Sequence, residues 1–203
     1  MSEITDKARE GGYNFYAFIA RMKYINRWIL MRNTQSENIQ EHSLQVAIIA
    51  HALALINNIY FEGDVNADKA AVLGMFHDCD EIITGDMPTP VKYFNAGIRE
   101  AYRVVETSAK ETLLGMLPDE LESRYREIFF QDDKEYIWRL VKAADTLSAY
   151  IKCLEEIKAG NAEFHAASES ILQKLGTLDM PEVELFINEF LDGFKLSLDE
   201  FNI

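Results

Sequence analysis

At 203 residues, with 34 acidic side chains against 20 lysines and arginines and a formal net charge of -14, the chain has room for one sizeable core and lacks the basic surface that long nucleic acids require. Hydrophobic residues make up 48% of it, which excludes a disordered chain, and no uninterrupted apolar run approaches the roughly 20 residues that span a membrane. The start, MSEITDKAREGG, has neither the basic beginning nor the apolar centre of a signal peptide, and Cys79 and Cys153 form no CxxC or zinc-ribbon spacing, so a soluble, cytoplasmic, single-domain protein with thiols rather than a disulfide is expected.

Residues 13–22 place Phe15, Phe18, Ile19 and Met22 on one stripe, the pattern of an amphipathic helix. The segment 23–32 mixes bulky apolar residues with Lys23, Arg27 and Arg32. It reads either as a connection with snorkelling basic side chains, or as a place where Arg27 offers a planar fork to a phosphate and Trp28 forms a wall. A polar stretch, 33–40, leads into a strongly apolar helix over 41–56 that carries His42 and His51. Nine residues apart on a helix means about 900° of rotation, so the two histidines face opposite sides. His42, at the helix entry beside Glu41, is the one placed to serve as a ligand.

After a loop over 57–66, a helix over 67–76 delivers His77 and Asp78. Helices over 97–116, with Ile98, Tyr102, Val105, Ala109, Leu113 and Met116 on the apolar side, and over 119–130, begun by Pro118, come next. The longest helix is expected over 132–159, its buried stripe formed by Ile137, Leu140, Val141, Ala144, Leu147, Ser148, Ile151 and Leu154, with Asp145 at its margin. Helices over 163–175 and 181–194 complete an all-α chain, with His165 on an exposed, polar face. No stretch alternates for long enough to make a strand.

The stretch 76–95, FHDCDEIITGDMPTPVKYFN, concentrates His77, Asp78, Asp80, Glu81 and Asp86 between an apolar helix and a proline-bounded loop. One reading is an exposed helix end with solvated acids. The other is a divalent metal site, in which a histidine nitrogen and an aspartate oxygen come from adjacent residues. Such neighbours point about 100° apart on a continuous helix, so they share a metal only at a helix end, and the run 84–90 cannot continue one.

A histidine from one helix, an adjacent His-Asp from the next and an aspartate from a late helix resemble the signature of the HD superfamily of metal-dependent phosphohydrolases; here they are His42, His77, Asp78 and Asp145. The surrounding text, INRWxLM, ENxxEHSLQVA, HDxxEIxTGDxPTPVKYFN and KAADxLxAYxKCLEE, is similar to the bacterial 5′-deoxynucleotidase family over nearly the whole chain. The resemblance implies a helical HD-domain bundle over 1–203, and one divalent cation, such as cobalt, manganese or zinc, bound by those four residues. It further implies that Arg27 holds a phosphate, that Trp28 sits beside the sugar and that Glu81 is the catalytic carboxylate. The loop Asp86-Met87-Pro88-Thr89 would line the nucleotide pocket, and the ligands His42, Asp78 and Asp145 would lie against the substrate. A homodimer, a small nucleotide substrate and no nucleic-acid polymer or membrane are the implied partners. Cys79 and Asp80 occupy positions where the family leads one to expect smaller or neutral residues, and Asp80 would add negative charge beside the metal.

The chemistry fits. A phosphate monoester is a dianion with a poor alkoxide leaving group, and a metal, a cation for the non-bridging oxygens and a carboxylate to manage a proton are what its hydrolysis needs. Glu81 follows Asp78 by three residues, so one helical turn would put both on one face, whether to orient water or to handle the leaving-group proton. Another HD phosphohydrolase, such as a phosphodiesterase or a triphosphate hydrolase, and a non-catalytic nucleotide-sensing module are the alternatives. A dinuclear phosphodiesterase would need further histidines, and a triphosphate hydrolase more cations. A plain helical interaction protein would leave the ligand spacing as coincidence.

Overall fold

The computed structural model of the chain describes residues 12–92 and 94–201; the polar beginning of the chain and Tyr93 of the KYFN run lie outside the described residues. Among the described residues the regular structure is helical and contains no strand. In chain order the helices are α1 (Phe15–Ile19), α2 (Ile39–Tyr60), α3 (Ala67–Phe76), α4 (Glu81–Thr84), α5 (Thr89–Lys92), α6 (Ala96–Leu114), α7 (Asp119–Phe129), α8 (Tyr136–Lys158), α9 (His165–Leu175) and α10 (Pro181–Phe190).

Several boundaries differ from the periodic reading, each for a local reason. The helix expected over 13–22 tightens after Ile19 into a 3-10 turn, Ala20–Tyr24. α8 begins at Tyr136 rather than 132, because the Asp132 carboxylate accepts from Lys134 N at 2.9 Å and its carbonyl from Glu135 N at 3.0 Å, which closes a turn instead of starting a helix. The last helix changes to a 3-10 turn at Leu191–Lys195. Two short helices, α4 and α5, occupy a stretch read as loop; Pro90 is tolerated because it lies in the first turn of α5, where its missing N–H has no helical acceptor to lose.

The chain falls into two compact units. The first comprises the residues up to Leu30, Glu37–Glu41 and Phe76–Gln131. Its core gathers Phe15 of α1, Cys79, Leu113 and Leu114 of α6, Leu117 and Phe129 of α7. Tyr125 packs its ring 4.7 Å from Phe15 and 5.6 Å from Phe76. The Asn95 side chain caps α6 by accepting from Ile98 N at 2.9 Å. Tyr102, Ala109 and Leu113 form the buried line of α6, while Ile98 and Val105, expected on the apolar side, are exposed. On a 100° per residue wheel those two lie about 40° and 60° to one side of Tyr102.

The second unit comprises Met31–Ser36, His42–Met75 and the chain from Asp132 onward. α8 buries Leu140, Val141, Ala144, Leu147, Ser148 and Ile151 as the stripe requires. Gly74 of α3 meets Ala47 of α2 so closely that a Cβ on it would stand 2.8 Å from the Ala47 Cα, so glycine sets the approach of these two helices. α2 is long and apolar enough, by length and composition alone, to cross a membrane, and half of its most apolar window is buried inside the fold. The exposed part carries Leu44, Ile48, Leu55 and Ile59. His51 is half-exposed, 3.8 Å from Asp68, whereas His42 on the other side of α2 is fully buried. His165 is exposed.

α8 also buries a charged pair that its stripe did not announce. Lys152 and Glu156, four residues apart, are 4% and 1% exposed and joined by an ion pair. The Glu156 carboxylate also accepts from Thr34 N at 2.9 Å, Thr34 Oγ1 at 2.7 Å and Asn161 Nδ2 at 2.9 Å, while Lys152 Nζ donates to the Gln35 carbonyl. The bonds from Thr34 to Glu156 and from Lys152 to the Gln35 carbonyl fix the loop 31–36 to α8. Burial alone would raise the Glu156 pKa, but the hydrogen bonds from Lys152, Asn161 and Thr34 outweigh it and hold the carboxyl below its usual range. A carboxyl with a lowered folded-state pKa contributes stability above its unfolded value near 4.5, and that contribution is lost as pH falls through the lower folded value. Glu156→Ala is expected to cost about 3–5 kcal/mol, since it strands Lys152. Between pH 6 and pH 3 the parent protein should lose more stability than Glu156→Gln, measured by urea unfolding. Equal losses would place the acid sensitivity elsewhere.

Candidate metal centre and its surroundings

In the second unit, His42 enters on the first turns of α2 and Asp145 on the middle of α8, with His42 Nε2 3.2 Å from Asp145 Oδ1. The other ring nitrogen, Nδ1, lies 3.0 Å from Ser148 Oγ, and Ser148 donates its hydroxyl proton to Gln45 Oε1 at 2.5 Å. With that proton committed, Ser148 accepts from an Nδ1–H, which leaves Nε2 as the ring nitrogen that faces Asp145.

In the first unit, α3 ends at Phe76 and His77 to Asp80 form a turn before α4. This is the helix end that lets adjacent residues aim together, and His77 Nε2 lies 3.0 Å from Asp78 Oδ2. Neither of the two unexpected residues that follow belongs to the donor group His42, His77, Asp78 and Asp145. Cys79 is buried in the apolar cluster around Phe15, and burial followed by the Asp80 charge pushes its thiol pKa well up. Asp80, also buried, faces Lys110 at 3.8 Å. Its expected negative charge is therefore opposed locally: burial raises its pKa, and Lys110 works against that rise.

Glu81 opens α4. Its Oε2 is buried without a hydrogen-bond partner among the described residues. Burial, then the charges of Asp78 and Asp86, push its pKa up to about 10, with Arg27 acting in the opposite direction. Gly85, at φ +71°, ends α4 with a turn that leads directly into Asp86, Met87 and Pro88, all half-buried, and exposed Thr89. The loop is tied to α6 by Tyr102, which donates to Thr84 Oγ1 at 3.2 Å, and by Lys92, paired with Glu106 at 2.6 Å.

Arg27 and Trp28 follow the Ala20–Tyr24 turn. An antiparallel bridge between Asn26 and Asn38 holds them, with Arg27 N donating to the Glu37 carbonyl at 2.9 Å and Ile39 N to that of Ile25 at 2.9 Å. Arg27 Nη1 and Trp28 Nε1 both donate to Glu37 Oε2, at 2.9 and 3.1 Å. Trp28 has φ +58°, a left-handed conformation that costs a bulky side chain about 1–3 kcal/mol. Glu37 was no candidate in the sequence. Only its position ten residues after Arg27, in the ENxxEH run, marked it.

The ligand atoms of His42, His77, Asp78 and Asp145 all lie within 4.8 Å of one another, and this group can hold a metal ion. Two histidine nitrogens and two carboxylate oxygens supply borderline and hard donors, a set that fits a divalent transition metal. The four ligands expected from the sequence are thus brought together; Glu81, Asp86 and Arg27 interact electrostatically in the first unit.

The model of the family described as 5′-deoxynucleotidase YfbR-like matches residues 14–194. A 5′-deoxynucleotidase of Photobacterium profundum is 50% identical over 190 residues, which covers 92% of this chain and 97% of the relative. An HD-domain phosphohydrolase of Listeria innocua shares the fold with a TM-score of 0.78 at 22% identity, over 89% of this chain and 88% of that one. The HD phosphohydrolase of cyanophage S-2L, whose structure holds dA and one catalytic Zn2+ ion, superposes with a TM-score of 0.60 at 19% identity, over 88% of this chain and 95% of that one. These likenesses make the helical architecture that of the HD domain.

Proposed function

The chain belongs to the YfbR-like 5′-deoxynucleotidase family, and on that premise we propose that it hydrolyses deoxyribonucleoside 5′-monophosphates to deoxynucleoside and phosphate. It is a metal-dependent phosphoric monoester hydrolase, and His42, His77, Asp78 and Asp145 are the residues assigned to hold one divalent cation. When bound, such a cation neutralises a phosphoryl oxygen and makes water a stronger nucleophile. Arg27 binds the non-bridging oxygens, Trp28 lies against the sugar, and the Asp86-Met87-Pro88-Thr89 loop borders the nucleotide. Glu81 holds and moves a proton, either from the attacking water or to the departing 5′ oxygen. A raised carboxyl pKa suits the second task, and positive charge balanced against Asp78 would favour the first.

The observation that carries this reading is the convergence of His42, His77, Asp78 and Asp145, whose ligand atoms lie within 4.8 Å of one another. Ser148, held by Gln45, orients the His42 ring so that Nε2 points into this group, as expected for a histidine that ligates through Nε2. The test is phosphate release from paired deoxy- and ribonucleoside monophosphates by chelated protein, before and after addition of cobalt, manganese or zinc. Activity that returns with metal and favours the deoxy series supports the assignment. Release undiminished by chelation would overturn it.

Residues 1–203 are read as one phosphohydrolase domain, since α2 and α3 each contribute residues to both units; a single unfolding transition is its test. A homodimer is proposed from the exposed apolar stripe Leu44, Ile48, Leu55 and Ile59, whose solvation would be unfavourable for a monomer. Sedimentation should show a dimer that Ile48→Glu dissociates. The cytoplasm is the proposed compartment, to be checked by cell fractionation.

A further inference from the structure

Glu37 ties together the two residues to which the phosphate and the sugar are assigned. Consecutive side chains of an extended segment point to opposite faces. Here the left-handed turn at Trp28 brings both Arg27 Nη1 and Trp28 Nε1 onto the single oxygen Oε2 of Glu37, at 2.9 and 3.1 Å. Glu37 and Arg27 are both 13% exposed, so neither bond is a loose surface pairing. Glu37 is itself anchored, its carbonyl accepting from Arg27 N beside the Asn26–Asn38 bridge.

We propose that Glu37 is a positioning residue for substrate selection: it fixes the angle between the Arg27 fork and the Trp28 indole, so that a phosphate seated on Arg27 sets the sugar's 2′ position against Trp28. This rests on the assignment of Arg27 to the phosphate and Trp28 to the sugar. Glu37 touches no reacting atom. It acts by keeping two donors in register, the kind of preorganisation on which angstrom-level placement depends.

The test compares Glu37→Ala, Glu37→Gln, Arg27→Ala and Trp28→Ala in the full-length, metal-loaded protein, with kcat and KM measured on paired deoxy- and ribonucleoside monophosphates. Glu37→Ala should lower the deoxy-to-ribo ratio of kcat/KM by about tenfold, a hundredfold being the scale of discrimination available to a pocket that merely disfavours a hydroxyl. Glu37→Gln should restore most of that ratio, because its amide oxygen accepts from the same two donors. Metal content should be that of the parent in both. In a Trp138→Phe background, Trp28 emission should shift to the blue in Glu37→Ala, since the indole N–H loses its acceptor, and return in Glu37→Gln. If Glu37→Ala does not fold, Glu37→Asp, one methylene too short to serve both donors, is judged by the same criteria. Parent-like selectivity in the Glu37 variants, with Arg27→Ala and Trp28→Ala impaired, overturns the role of Glu37 alone. Parent-like kinetics in Arg27→Ala and Trp28→Ala overturn the underlying assignment and the proposal with it.

Discussion

Glu81→Gln is expected to keep its metal and lose about 10²–10⁴-fold in kcat, the range associated with a positioned acid or base, whereas His42→Ala and Asp145→Ala lose the metal itself. The two failures separate because the groups occupy different places in the electrostatics. His42 Nε2 and Asp145 Oδ1 stand 3.2 Å apart and belong to the four-residue donor group, so deleting either removes a ligand. Glu81 stands outside that group, buried with an oxygen that has no hydrogen-bond partner among the described residues, and under the repulsion of Asp78 and Asp86. Glutamine keeps its shape and removes its proton chemistry. Metal content after dialysis, measured beside single-turnover phosphate release, distinguishes the roles. Ser148→Ala belongs between them, with metal affinity about 10–100-fold weaker, the usual consequence of losing the partner that orients a histidine ligand. Equal metal loss in Glu81→Gln and His42→Ala would make Glu81 a ligand and remove it from proton transfer.

The helices and the His77-Asp78 pair were legible because each leaves a local trace. Apolar stripes recur at helical spacing, and His77-Asp78 stands where the run 84–90 forbids a long helix. The structure repeats that logic in the turn from His77 to Asp80. Asp145 was a different matter, since at the margin of a buried stripe nothing in periodicity distinguishes a ligand from a solvated aspartate; the resemblance singled it out. What sequence did not disclose are pairings between residues far apart in the chain. The Lys152–Glu156 pair looks like an ordinary exposed i,i+4 couple until Thr34 and Asn161 are seen to satisfy the carboxylate. Asp80 looked like surplus negative charge until Lys110 of α6 was found opposite it. Glu37 escaped for the same reason: its value depends on a left-handed turn at Trp28 that no tryptophan advertises. Patterns in sequence report which face of a helix is apolar, and they are silent about which polar group meets which.

Arg27→Lys should be nearly as damaging as Arg27→Ala, with kcat reduced about 10²–10³-fold, the scale on which a donor to developing negative charge is felt when removed. Keeping the charge does not rescue it, because the site makes two demands on one side chain. Nη1 is engaged by Glu37 at 2.9 Å, and the assigned phosphate needs the remaining edge of a planar fork. A guanidinium meets both at once. An ammonium is a point charge on a flexible stem; paired with Glu37 it leaves the phosphate, and drawn to the phosphate it abandons Glu37 and with it the register of Trp28. The loss should fall mainly on kcat if Arg27 interacts more strongly with the transition state than with the bound monoester, and on KM if it binds both equally. Trp28→Ala in parallel should narrow the deoxy-to-ribo ratio chiefly by admitting ribonucleotides, because the indole face offers a 2′-hydroxyl no partner. The double variant Arg27→Lys/Glu37→Gln sharpens the argument. Without the Glu37 charge to hold it, the substituted ammonium is released toward the phosphate, so part of the kcat should return while the sugar preference stays weak. Recovery of neither would show that the planar fork itself, rather than competition with Glu37, is what lysine lacks.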